Sequence, residues 1–211
     1  MEAGSACTAR CCRSAISADK DQPLPSQVFT DLKAKRIRTM TTKEAAAAAA
    51  APTFPFARKT VLLDVREAEK FANGHAYGAI NVPLYTVMEA PADSFDTLRA
   101  AYFSLFGMKV PMRNDKFAQG VAAAVGGRRD TALLVMCQSG GTLETTEERK
   151  KRDARLPAPV YGEFGAASRS LMAIHELVTE GKFTNVAHVA GGYSQWRADG
   201  LQTDVVDDEE E

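Results

Sequence analysis

Cys137 ends an apolar run, 133-LLVMCQSGGT-142, and is followed by Gln138, Ser139, Gly140, Gly141 and Thr142. A thiol in that place has two readings. One is a small hydrophobe finishing a buried strand, the commoner fate of a cysteine in an apolar segment. The other is a nucleophile at a strand-to-loop turn, where backbone N–H groups and the start of a following helix converge on the sulfur. Such donors favour the thiolate and bind any anion attached to it. Sulfur transfer asks for that arrangement: the thiolate attacks the outer sulfur of a sulfane donor, the loop holds the persulfide, and an acceptor nucleophile removes it. Asp64 and Arg66 close a second apolar run that begins at Thr60, so they too stand at a strand end. In an open parallel sheet, chemistry gathers beyond the carboxyl ends of the strands.

Other residue types narrow the chemistry further. His75, His175 and His188 are scattered without ligand-like spacing, so no metal site is expected, and no cofactor. Cys7, Cys11 and Cys12 crowd into the first dozen residues and leave Cys137 alone in the body, which is not a disulfide framework. A net charge of -1 gives no electrostatic case for nucleic acid or an anionic membrane surface. No window approaches about 18 uninterrupted apolar residues, so no transmembrane segment is expected.

The elements that must position the thiol follow from periodicity. Apolar runs at 60–65, 79–84, 131–137 and 185–192 read as strands, and 36–40 as a further short one. Between them lie helical patterns. Thr41 and Glu44 have capping-box spacing ahead of an alanine run that Pro52 ends. Residues 67–74 give one or two turns, and Phe95, Leu98, Tyr102 and Leu105 recur at helical spacing. Residues 114–126 read as a capped helix, 168–181 as an amphipathic one stopped by Gly181, and 193–200 as the last. Short apolar strands alternating with helices mean an α/β layered fold with a mostly parallel sheet. At 211 residues, without an internal repeat, one domain is expected.

The stretch VLLDVREAEKFANGHAYGAINVPL (61–84) closely resembles the rhodanese-homology signature. NVAHVAGGYSQWRADGL (185–201) resembles that family's C-terminal signature, and LLVMCQSGG falls where the family carries its active-site cysteine. The resemblance implies a single α/β domain with a mostly parallel central sheet flanked by helices. It implies that Cys137 carries a persulfide, that the loop from Gln138 to Thr142 surrounds an anion pocket, and that Gly140 supplies an N–H. Asp64 and Arg66 would form the polar network beneath the loop, as a structural ion pair. His75 is expected as a turn residue, Trp196 as core, and His175 and His188 as residues that pack or satisfy local hydrogen bonds.

The sequence departs from the family loop at one point. Cys137-Gln138-Ser139-Gly140-Gly141 matches, but Thr142 stands where arginine is usual, and Arg-Ser appears only at Arg169-Ser170. Residues 142–167 therefore read as an insertion, charged and bearing two prolines. If Ser168–Ser170 return to the pocket, Arg169 can stabilise an anionic substrate or leaving sulfite; if they do not, the N–H cradle is incomplete and donor binding is poor. The insertion is either a solvated surface loop or a docking surface for a protein partner. Phosphatase or arsenate-reductase chemistry needs an arginine six positions after the cysteine to grip an oxyanion; Leu143 is there instead.

Such an interrupted loop is similar to plant and algal chloroplast rhodanese-like proteins. That implies a chloroplast location, in the stroma or associated with the thylakoid; a cytoplasmic or other organellar location is the alternative. The expected organisation is a disordered tail with transit-peptide character at 1–35, a domain at 36–203 and an acidic tail at 204–211. Two functions are carried forward. One is a sulfurtransferase or persulfide carrier using a small sulfane-sulfur donor and a thiol acceptor. The other is a catalytically weak module that binds protein partners.

Overall fold

The apolar runs become neighbouring strands of one sheet. The computed structural model describes residues 23–51, 59–87, 101–102, 111–145, 148 and 168–205. Within them, β1 (Arg38–Met40), β2 (Thr60–Asp64), β4 (Ile80–Asn81), β7 (Ala132–Met136) and β8 (Val186–Val189) form a five-stranded sheet in the order β1-β8-β7-β2-β4. Every pairing in it is parallel. Two antiparallel ladders lie outside it. One joins β3 (His75–Ala76) to β9 (Thr203–Asp204), the other β5 (Tyr85–Val87) to β6 (Pro111–Arg113).

Among the described residues, these strands are connected or flanked by helices α1 (Pro25–Ala34), α2 (Thr42–Ala50), α3 (Ala68–Ala72), α4 (Phe117–Ala124), α5 (Arg169–Thr179) and α6 (Gly192–Ala198). Side chains alternate across a strand, and that alternation builds two cores. Leu133, Val135 and Cys137 join the cluster with Leu32 of α1, Phe117 of α4 and Leu171 and Ile174 of α5. Leu134 and Met136 join the opposite cluster with Ala45 of α2 and Tyr193 and Trp196 of α6. The alternation thus delivers Cys137 to the α5 face.

Local signals set the helix starts. The Thr41–Glu44 capping box forms at α2 as the spacing predicts. Ser168 caps α5, its hydroxyl accepting from Leu171 N–H at 3.3 Å. The helix expected at 114–126 is capped differently. Its N-cap, Lys116, makes no side-chain cap, and Asn114 Oδ1 accepts from Lys116 N–H at 3.1 Å. The strand expected over 79–84 is confined to Ile80–Asn81, because Pro83 has no N–H to give a ladder.

The expectation of a disordered tail up to residue 35 needs correction. Pro25–Ala34 is a helix whose Val28, Phe29 and Leu32 are buried against the core. Asp31 Oδ2 meets His175 Nε2 at 2.9 Å, which fastens α1 to α5. The apolar spacing of 28, 29 and 32 is one helical stripe, masked in the sequence by the small polar residues before it. At the other end Asp204, expected in the acidic tail, pairs with His75 in the β3–β9 ladder. The transit-peptide features at 1–18 lie outside the described residues. So do Phe95, Leu98 and Leu105 of the expected helix and most of the 142–167 insertion, although Tyr102 is helical.

Candidate active site around Cys137

Cys137 leaves the end of β7, the middle strand, and its loop is folded against the turn into α6. Tyr193 N–H donates to the Cys137 carbonyl at 2.8 Å and Ser194 N–H to the Gln138 carbonyl at 2.9 Å. The two turns touch backbone to backbone. A Cβ on Gly192 would lie 2.2 Å from the Cys137 carbonyl oxygen, and one on Gly140, at φ 61°, would lie 2.5 Å from Gly191 N. Glycine at both positions is a condition of that contact. The glycines of the C-terminal signature therefore serve the cysteine loop.

Beneath the loop, Asp64 and Arg66 form the expected ion pair. Arg66 Nε donates to Asp64 Oδ2 at 2.9 Å, its second terminal nitrogen lies 2.7 Å from the same oxygen, and both side chains are buried. The remaining donors reach Gly74 O at 2.7 Å and Gln138 Oε1 at 3.1 Å, while the guanidinium lies 4.0 Å from the centre of the Tyr193 ring. Gln138 completes the bridge by donating to Ser194 Oγ at 3.0 Å. The buried charges are thus paired and hydrogen-bonded, and they fix the first side chain of the loop.

The sulfur itself is 4% exposed as part of Cys137. Its hydrogen-bond partner among the described residues is the Ser170 hydroxyl, 3.3 Å from Sγ. Ser170 Oγ in turn lies 2.9 Å from Ser168 Oγ. Among the described residues no loop amide, Gly140 N–H included, is hydrogen-bonded to the sulfur, so the expected ring of amides is not formed. Gly141 N–H donates instead to His188 Nε2 at 3.3 Å. That bond makes Nε2 the unprotonated nitrogen and places the proton on Nδ1, which is buried without a partner among the described residues. Burial holds the His188 pKa down at about 4, so the ring is a neutral acceptor. Ser139 is exposed, and Thr142 Oγ1 accepts from Glu144 N–H at 3.0 Å.

Arg169 starts α5 beside Ser170, but its guanidinium turns to Glu67, Nη1 to Oε1 at 2.7 Å, and lies 5.4 Å from the centre of the Tyr85 ring. Glu67 also pairs with Lys70 at 2.5 Å. Burial acts to raise the Glu67 pKa, yet the hydrogen bonds from Lys70 and Arg169 outweigh it and keep the carboxyl below its usual value. These side chains, with Pro83, Tyr85 and Val87, line a cleft of about 560 Å³.

The structure brings Cys137 and Ser170 into contact and joins Gln138 to Asp64 and Arg66 through Arg66. Arg169 is held on Glu67. Sequence reasoning missed Glu67 and Tyr193. Ser168 was legible as a cap before an apolar run; nothing local marks Glu67 or Tyr193 as partners of distant arginines. His75, expected as a turn residue, instead lies in strand β3 with its Nδ1 3.0 Å from Phe71 O, and Trp196 is core as expected.

A parallel sheet carrying a thiol at the end of its middle strand, with a serine from a helix start against the sulfur, defines a cysteine-loop α/β domain. The chain belongs to the rhodanese-like domain family: the model described as "Rhodanese-like domain" matches residues 41–199. It is similar to Rhodanese-like domain-containing protein 14, chloroplastic, of Arabidopsis thaliana, at 31% identity over 176 residues, covering 83% of this chain and 68% of that protein. Thiosulfate sulfurtransferase 16, chloroplastic, of the same plant is 30% identical over 141 residues, covering 67% of this chain and 77% of that protein. Among solved structures, the Alr3790 protein of Anabaena sp. matches with a TM-score of 0.42 at 13% identity, covering 80% of this chain and 83% of that one. Among the described residues no helix is long and apolar enough to cross a membrane, and no cluster of His, Cys, Asp and Glu has the makings of a metal site.

Proposed function

We propose that the chain is a sulfurtransferase or persulfide carrier that moves a sulfane sulfur through Cys137. The Cys137 thiolate attacks the outer sulfur of a thiosulfate-type donor; the donor S–S bond breaks and sulfite leaves with the electron pair. An acceptor thiolate then attacks the outer sulfur of the persulfide, and Cys137 departs as thiolate. The two steps are displacements at sulfur and need no external oxidant or reductant. One observation carries the reading: Sγ, at the carboxyl end of the middle strand, lies 3.3 Å from the hydroxyl of Ser170 in the first turn of α5. A helix start and a hydroxyl donor both favour the anion over the thiol. In this reading Ser139, Gly140 and Thr142 frame the approach, and Arg169 releases Glu67 to meet an anionic donor.

The test is mass spectrometry of the protein after exposure to thiosulfate. One added sulfur on the Cys137 peptide is expected, absent in Cys137→Ser. An accessible thiol that gains no sulfur overturns the reading.

The low exposure of Cys137 and the diversion of Gly141 N–H favour a second reading, a weakly catalytic module that binds protein partners through residues 142–167. In that case Cys137→Ser leaves partner binding intact. The chloroplast names of both relatives support a plastid location, stromal or thylakoid-associated.

A further inference from the structure

We propose that Ser168 is a positioning residue for the Cys137 thiolate, acting through Ser170. The proposal rests on reading Cys137 as the nucleophile.

Three groups form a line into the sulfur. Leu171 N–H reaches Ser168 Oγ at 3.3 Å, Ser168 Oγ lies 2.9 Å from Ser170 Oγ, and Ser170 Oγ lies 3.3 Å from Sγ. The first link has a fixed direction, because an amide can only donate. The other two turn with the state of the sulfur. A thiol has a proton to give, so Cys137 can donate to Ser170 and Ser170 to Ser168. A thiolate has none, so Ser170 must donate to sulfur, which leaves its oxygen to accept from Ser168. In the ionised state all three donors therefore point the same way, toward the negative charge, and each polarises the next.

Ser170 is fully buried and has a single hydroxyl proton. Ser168 decides where that proton goes. A donor at 168 frees it for the sulfur, whereas an acceptor at 168 competes for it. Ser168 is half-buried, standing between the buried pair and the surface, and Leu171 N–H anchors it in either state. Its cap on α5 and its aid to the thiolate thus use different parts of one hydroxyl: a lone pair for the helix and the proton for the relay.

That division makes the two roles separable. Ser168→Gly removes the hydroxyl at a position where glycine is a tolerated cap. Ser168→Asp keeps a capping acceptor but cannot donate when ionised, so it draws the Ser170 proton away from sulfur. Ser168→Thr retains both. The measurement is the pH dependence of iodoacetamide alkylation at Cys137, followed on its own peptide by mass spectrometry so that Cys7, Cys11 and Cys12 do not contribute.

Wild type and Ser168→Thr should show the same pH dependence. Ser168→Gly should rise by about one pKa unit, a tenfold loss of thiolate at neutral pH, and Ser168→Asp by more. A residue that only caps the helix would leave the uncharged glycine variant at the wild-type value, and that result overturns the proposal; the aspartate variant adds a charge that disfavours the thiolate by itself. Alkylation needs no sulfur donor, so the relay and the proposed function fail separately. A Ser168-dependent titration without persulfide formation removes only the sulfurtransferase reading, and a persulfide with no Ser168 dependence removes only the relay.

Discussion

Asp64 and Arg66 illustrate how much one buried pair organises. The carboxylate takes the Arg66 Nε and the Arg66 backbone N–H, the latter at 3.0 Å, leaving the outer guanidinium nitrogens to reach Gly74 and Gln138. Removing one partner strands the other charge away from water. Asp64→Ala should therefore cost about 3–5 kcal/mol, measured as a lowered denaturant midpoint in urea. A loss under about 1 kcal/mol would mean that Arg66 finds water or another anion in its place. The apolar run put both residues at a strand end, and the resemblance of residues 61–84 to the rhodanese-homology signature implied their pairing beneath the loop. The bridge onward to Gln138 was not legible in the sequence, since it spans 72 positions and depends on the side chain of a loop residue.

At the scale of elements, α1 is the largest departure from the sequence reading. Its mean composition is polar and it follows a stretch with no apolar pattern, so a window average hides a stripe of three buried residues. Leu32 is fully buried between α1 and the sheet. Leu32→Ala should destabilise by about 2–5 kcal/mol, as for other large-to-small changes in a packed core. A surface tail would show no change in the thermal midpoint, so the experiment separates the two accounts cleanly. The sheet, by contrast, was readable nearly throughout, because buried parallel strands are written as continuous apolar runs. Sequence order could reveal neither which strand lies in the middle nor that the glycines after β8 pack on the loop after β7. Both depend on contacts between segments far apart in the chain.

The whole molecule should feel the titration of His188. Burial lowers its pKa to about 4 in the folded chain, against an ordinary value of 6.5. Between these values the unfolded chain binds a proton that the folded chain refuses, so stability falls as pH drops from about 6.5 to about 4. The full effect is on the order of 3 kcal/mol. Glu176 works in the opposite sense: burial raises its pKa, so its contribution is present at low pH and lost as pH rises. Urea unfolding at neutral and mildly acidic pH, compared between wild type and His188→Gln, isolates the histidine share. Equal slopes in the two proteins would contradict a neutral buried ring. Below about pH 4 the protonated ring can no longer accept from Gly141 N–H, and the loop that carries Cys137 loses one of its fastenings.

The outer strands of the sheet, β1 and β4, are only three and two residues long. An incoming chain seeking to extend the ladder would find few unpaired amides and carbonyls in register there. The protein should accordingly resist edge-to-edge aggregation when concentrated, even though its interior strands are built from the residues most prone to it.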